Sequence, residues 1–377
     1  MYDNAIVHSA LTAPPLNVEQ FQQKDTTMNT TLLLSSRTLR GLIVAFGLVS
    51  VTTSAFSGIG QMPAKPQEKP IAIINATIHP VSAAPIESGT ILFDKGKIVA
   101  IGKDIALPQG TEVIDGSGKH IYPGLMSPDT YIGLMEIGAV RATRDFAETG
   151  QINPNVRAEV AVNPESEVIP VTRANGITTF VTAPRGGIIS GLSAVMMSDG
   201  WTWEEMTLKA PAGLCVQWPA MTPRSGWWVT QSEEEQKKER DKALKELTDA
   251  FRDARAYMNA KKVEQHKGIP YHNVDLRWEA MIPVLEGKVP VVVTATEVQQ
   301  IQAAVAWAQQ EGLKLIIRGG HDAWRVTDLL KKYDVPVLAG AVHRLPSRRF
   351  EKYDEPFTLP KKLFEAGIRF AIITEDE

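Results

Sequence analysis

The chain has 377 residues, 44% hydrophobic and 22% charged, with a formal net charge of −3. This is ordinary globular composition with room for a large core and one or two domains. A charge so near neutral gives no electrostatic ground for a nucleic-acid partner, and one cysteine, Cys215, excludes an intramolecular disulfide and any Cys-rich zinc site.

The first recognisable feature is "GLIVAFGLVSV", an 11-residue apolar run at 41–51 preceded by Arg37 and Arg40 and followed by small residues in "TTSAFSG". This is the layout of a secretory signal. The run is short of the roughly 20 residues that a membrane-spanning helix needs. Counted from Met1, the stretch before it is long, and Asp3 and Asp25 dilute its charge; counted from Met28, its proportions are normal. The expectation is that residues 1–57 are an upstream extension plus a signal peptide (about 28–57), with the true start at Met28. The body of the protein is then exported, periplasmic or secreted, without a stable membrane span. An uncleaved anchor is the alternative.

Residues 58–70, rich in Gly, Pro and Lys, read as a linker. Three β-like segments follow within 71–120, a small β-sandwich module. The middle one is a hairpin, with Asp94-Lys95-Gly96 as its turn and Gly96 at a position that needs φ > 0. From 121 to 377 the pattern becomes apolar runs alternating with helical stretches. "GITTFVTA", "VPVVVTA", "LKLIIRGG", "VPVLAGAV" and "IRFAIIT" lack the polar alternation of half-exposed strands and suit a parallel sheet covered by helices. The longest helix is expected over 233–262. Ser232 and Glu235 form a capping box, and Leu244, Leu247, Phe251, Ala254 and Met258 lie on one face. About 250 residues of strand-then-helix units favour a (β/α)8 TIM-like barrel, with an open doubly wound sheet as the alternative. No phosphate-cradling glycine loop supports the latter. Cys215, in "PAGLCVQW", has no adjacent base and reads as a small buried apolar residue.

"VIDGSGKHIYPGLMSPDTYIGL" between module and barrel resembles the first barrel strand of the amidohydrolase superfamily, most closely its imidazolonepropionase-related branch. Asp115, Gly116, Gly118, Lys119, Pro123, Gly124, Leu125 and Gly133 carry the likeness. "ANGITTFVTAPRGGIISGLSAVM" is similar to that family's second strand and loop. "EGKVPVVVTATEVQQIQAAVAWAQQEGLKLII" is similar to strands five and six with the helix between, and "EAGIRFAIITEDE" to strand eight. The resemblance spans about 71–377. It implies an incomplete C-terminus, because the family adds a helix and further strands after strand eight.

The resemblance also implies a divalent metal, zinc, held by a His-x-His pair at the end of strand one and further His residues on strands five and six. Side chains at i and i+2 of a strand point to one side, so such a pair grips one ion. The metal activates a water, and an acid after strand eight takes its proton and passes it to the leaving nitrogen. In this chain the usual His positions are Asp129, Tyr131, Thr294, Thr296 and Gly319. Asp129 and His321 remain as metal ligands, with His343 a further contributor, and Asp376, Glu375 or Asp129 as the catalytic acid or base. Two readings stand. One is a hydrolase of carbon–nitrogen bonds other than peptide bonds, acting on cyclic amides or related small molecules by metal- or carboxylate-activated water. The other is a catalytically degenerate relative, serving as a binding protein or as the partner subunit of an active paralogue. A homo-oligomer is also compatible with the sequence.

Overall fold

A computed structural model describes residues 63–264, 273–340, 342–346 and 348–374. The expected signal segment, Met28, Glu375 and Asp376 lie outside the described residues. Among those described, no helix is long and apolar enough to cross a membrane.

The first sheet is built from β1 (Ile71–Ile78), β2 (Ile86–Asp94), β3 (Lys97–Gly102), β4 (Glu112–Asp115) and β5 (His120–Ile121). Its order is β3-β2-β1-β4, with β5 also pairing with β1. The β2–β3 hairpin turns through Lys95 and Gly96 at φ 50° and 69°, as the sequence predicts. Positive φ at both central residues matches the turn's twist to that of the strands.

The second sheet has eight strands: β6 (Leu125–Thr130), β7 (Ile177–Thr182), β8 (Ile189–Met197), β9 (Thr207–Gln217), β10 (Val291–Ala295), β11 (Leu315–Gly319), β12 (Val337–Ala339) and β13 (Phe370–Ile372). They lie in the order β13-β12-β11-β10-β9-β8-β7-β6. β6 pairs in parallel with β7, and β9 through β13 form parallel ladders. β8 runs antiparallel to both neighbours. The stretch "GGIISGLSAVM", read above as a loop, supplies that reversed strand. This is therefore a TIM-like barrel with one strand turned round, accompanied by a separate β module.

Helices cover the barrel: α1 (Val168–Ala174), α2 (Trp203–Met206), α3 (Glu233–Glu264), α4 (Leu276–Leu285), α5 (Val298–Glu311), α6 (Thr327–Lys332) and α7 (Glu355–Glu365). The capping box of α3 forms: Ser232 N donates to Glu235 Oε2 at 2.8 Å and Glu235 N to Ser232 Oγ at 3.2 Å. Leu247, Phe251, Ala254 and Met258 are buried on its inner face. Leu247, Phe251 and Ala254 share one core with Val291, Val293 and Ala295 of β10, Ile317 of β11 and Ile301, Ala304 and Ala308 of α5. In β10 and β11, alternate residues enter this core between sheet and helices. The intervening Thr294 and Arg318, register partners on neighbouring strands, face the other way, into the barrel.

Candidate active site at the barrel mouth

The site is built on Asp129, at the C-terminal end of β6. Its carboxylate is 3% exposed. Two guanidinium groups converge on one of its oxygens: Arg185 NH2 donates to Oδ2 at 2.5 Å and Arg318 Nε to the same oxygen at 2.6 Å. Arg185 arrives from the loop after β7, and Arg318 from the C-terminal end of β11. β6 and β11 are five places apart in the sheet. Strands spaced by ~4.8 Å would put them roughly 24 Å apart if the sheet were flat. The 2.6 Å contact between their side chains therefore requires the sheet to curl into a barrel.

Tyr131 joins from two residues on, as i and i+2 of an extended segment allow. Its ring lies 5.0 Å from the Arg185 guanidinium and 4.9 Å from Phe146. Arg185 also donates from NH1 to the carbonyls of Ala183 (3.4 Å) and Pro184 (3.3 Å), while its buried Nε has no partner. Burial opposes the charge on Arg185, but the neighbouring Asp129 carboxylate outweighs it and holds the guanidinium above its ordinary value. Cys215 is buried beside this cluster. Burial pushes its thiol up to about 11, so it is the inert apolar residue that the sequence suggests.

The other sequence-expected positions go elsewhere. The Thr296 hydroxyl bonds Gln300 Oε1 at 3.1 Å and belongs to the entry of α5. Gly319 adopts φ 90° at the end of β11. His321 is half-buried on the following turn, and His343 is exposed with its ring 5.7 Å from that of Phe357. Asp322, next to His321, is buried and accepts two bonds from Arg348 at 2.5 and 2.9 Å. It also takes one from Val298 N, the first N–H of α5, at 3.3 Å, and one from Arg325 Nε at 3.3 Å. The residues that sequence reasoning missed are Arg185 and Arg318. The signal was present: an arginine inside the apolar run "LKLIIRGG" must meet a carboxylate if the strand is buried.

No family model matches the chain. A D-hydantoinase from Geobacillus stearothermophilus is 38% identical over 80 residues, which is 21% of this chain and 16% of the hydantoinase. The chain thus spans about a sixth of that curated relative. A solved amidohydrolase from Thermotoga maritima MSB8 is 25% identical, with a TM-score of 0.68 over 80% of this chain and 78% of the other. In sequence and fold the chain is similar to members of the amidohydrolase superfamily.

Members of that superfamily are typically metal-dependent hydrolases, so the donor set must be tested against a divalent ion. It does not fit. In this chain, Asp129, at the first ligand position, already has an oxygen occupied by two cations. A metal placed there would face a formal charge of +2 from the guanidinium groups, of which Asp129 offsets one unit. Tyr131, ordinarily near pKa 10, and the threonine hydroxyl of Thr294 are poor donors. Among the described residues, no three His, Cys, Asp or Glu side chains form a set able to hold a metal ion.

Proposed function

We propose that this amidohydrolase-like chain has exchanged its metal centre for an Arg185–Asp129–Arg318 network and works as a ligand-binding protein or partner subunit of an active hydrolase. The observation that carries this reading is the double ion pair on Asp129, with contacts of 2.5 and 2.6 Å. The network holds together the elements that a metal would otherwise bind, and it leaves a formal charge of +1 at the mouth. Such a mouth suits a small molecule bearing a carboxylate, as an N-acyl amino acid or a ring-opened cyclic amide does; a guanidinium recognises that group through paired hydrogen bonds.

A second reading is favoured by the stretch shared with the D-hydantoinase. Here the chain is a hydrolase of carbon–nitrogen bonds other than peptide bonds, in which a carboxylate activates water. Asp129 is engaged by its arginines, so Glu375 or Asp376 would have to serve as that base.

The deciding experiment uses the purified full chain. Metal content is measured, turnover is followed on a panel of cyclic amides and dipeptides, and melting temperature is recorded with N-carbamoyl and N-acyl amino acids. The binding reading expects substoichiometric metal, no turnover, and a rise in melting temperature with carboxylate ligands that Arg318→Gln abolishes. Turnover that is lost on Asp376→Asn would establish the second reading instead. Stoichiometric zinc that is lost on Asp129→Ala would overturn the replacement of the metal centre.

A further inference from the structure

Away from the barrel mouth, two histidines meet in the small sheet where β1 ends and β5 begins. His79 directly follows β1 and His120 opens β5, which pairs with β1 in parallel so that Thr77 lies opposite His120. Backbone bonds from Thr77 N to the Lys119 carbonyl (2.9 Å) and from His79 N to the Ile121 carbonyl (2.8 Å) fix both positions. Nε2 of His79 lies 2.9 Å from Nδ1 of His120. Tyr122 lays its ring flat on His79, with centroids 4.4 Å apart and planes 2° apart. His120 and Tyr122 are exposed and His79 is half-buried.

We propose that His79 and His120 form a two-imidazole site for a divalent transition metal of the copper or nickel type. Two ring nitrogens in hydrogen-bond contact share one proton, one ring donating and the other accepting. A metal takes the place of that shared proton, which moves to the other nitrogen of the donor ring, so that both facing nitrogens offer a lone pair. The observed 2.9 Å is a hydrogen bond between the rings, and cis nitrogens on one ion with metal–nitrogen bonds of about 2.0–2.1 Å lie about 2.9–3.3 Å apart, so the ring planes must move and the backbone need not. Copper(II) binds imidazole most strongly of the divalent series, with nickel(II) next below it.

A turn of each ring about its Cβ–Cγ bond aims both nitrogens at one point outside the sheet. The exposure of His120 leaves room for this, and for water in the remaining positions. The strands already hold the two ligands in place, so no backbone rearrangement opposes the ion.

The test is a titration of the chelator-treated full chain with copper(II) sulfate, read by calorimetry and by electron paramagnetic resonance. Expected is one equivalent of copper bound with nitrogen hyperfine structure from two imidazoles, and weaker binding of zinc. His79→Gln and His120→Gln should each weaken that equivalent at least tenfold, while His343→Gln leaves it unchanged. An unchanged melting temperature of each metal-free variant shows that the fold is kept. Copper should also raise the melting temperature of the parent chain and of neither variant. An affinity within twofold of the parent in either variant would overturn the proposal.

Discussion

Replacing Asp129 by asparagine removes one charge and almost no volume, which makes it the sharpest probe of the barrel mouth. The carboxylate accepts from Arg185 at 2.5 Å and from Arg318 at 2.6 Å. Both guanidinium groups are largely buried, with side-chain exposures of 10% and 11%. Removing one partner of a buried ionic pair costs about 3–5 kcal/mol, because the remaining charge stays desolvated. Asparagine keeps one acceptor oxygen but turns an NH2 group toward a cation, so a loss of about 3 kcal/mol is expected. That is a large share of the 5–15 kcal/mol typical of a folded domain. The loss should be measured by urea denaturation of the full chain, through the shift of the midpoint at constant slope. A double-mutant cycle with Arg318→Gln then isolates the pair. The double variant should lose at least 1 kcal/mol less than the sum of the two single changes, since it leaves only one guanidinium uncompensated. A loss below about 1 kcal/mol for Asp129→Asn, or strict additivity in the cycle, would refute the claim that this carboxylate closes the barrel electrostatically.

Three further outcomes follow from the same geometry. Cys215, buried with its thiol pushed up to about 11, should not react with a thiol reagent at pH 8 until the chain is unfolded; full labelling of the native protein within minutes would contradict its placement. Gly133 holds φ 78°, and a Cβ there would approach Val162 Cγ1 to 2.7 Å, so Gly133→Ala should cost about 2 kcal/mol or more in the same denaturation assay; a neutral substitution would show that the turn relaxes freely. At Asp322, burial opposes the charge, but the hydrogen bonds from Arg348 outweigh it and hold the carboxyl below its ordinary range. Its contribution to stability is therefore complete above the ordinary carboxylate pKa of about 3.9 and is lost as pH falls through the lower folded value. The stability gap between the parent and Asp322→Asn should be flat from pH 8 to pH 5 and close only in stronger acid; a gap that closes between pH 8 and pH 6 would assign the effect to another group.

Much of the frame was legible because it depends on local chemistry. The hairpin at Lys95 and Gly96, the Ser232–Glu235 capping box and the buried face of α3 each follow from a few adjacent residues whose conformational preferences agree. The parallel strands β10 to β12 were legible as unbroken apolar runs. β8 was not. Its sequence carries two glycines before an apolar stretch, which suits a loop as well as a strand, and its direction is set by pairing with β7 and β9. The partners of Asp129 were illegible for a related reason. Arg185 and Arg318 stand 56 and 189 residues away in sequence, and only the curl of the sheet brings them to one oxygen.

That placement gives the substitutions at the mouth a common physical cause. A lone buried carboxylate is costly unless cations meet it, and a buried arginine is equally costly without an anion. Once aspartate stands at position 129, the site needs positive charge to become stable, and either a metal or a guanidinium can supply it. Arg318 lies one residue before Gly319, the position where the resemblance implies a histidine, and its chain is long enough to reach across the barrel from β11 to β6. Arg185 reaches the same oxygen from the β7 loop and places its guanidinium over Tyr131, so the second altered position of strand one also becomes part of the cation's surroundings. Asp129, Tyr131, Arg185 and Arg318 therefore form one interdependent set. Restoring histidine at 129 and 131 alone would leave two guanidinium groups facing any incoming cation, and metal binding would return only if both arginines were removed as well.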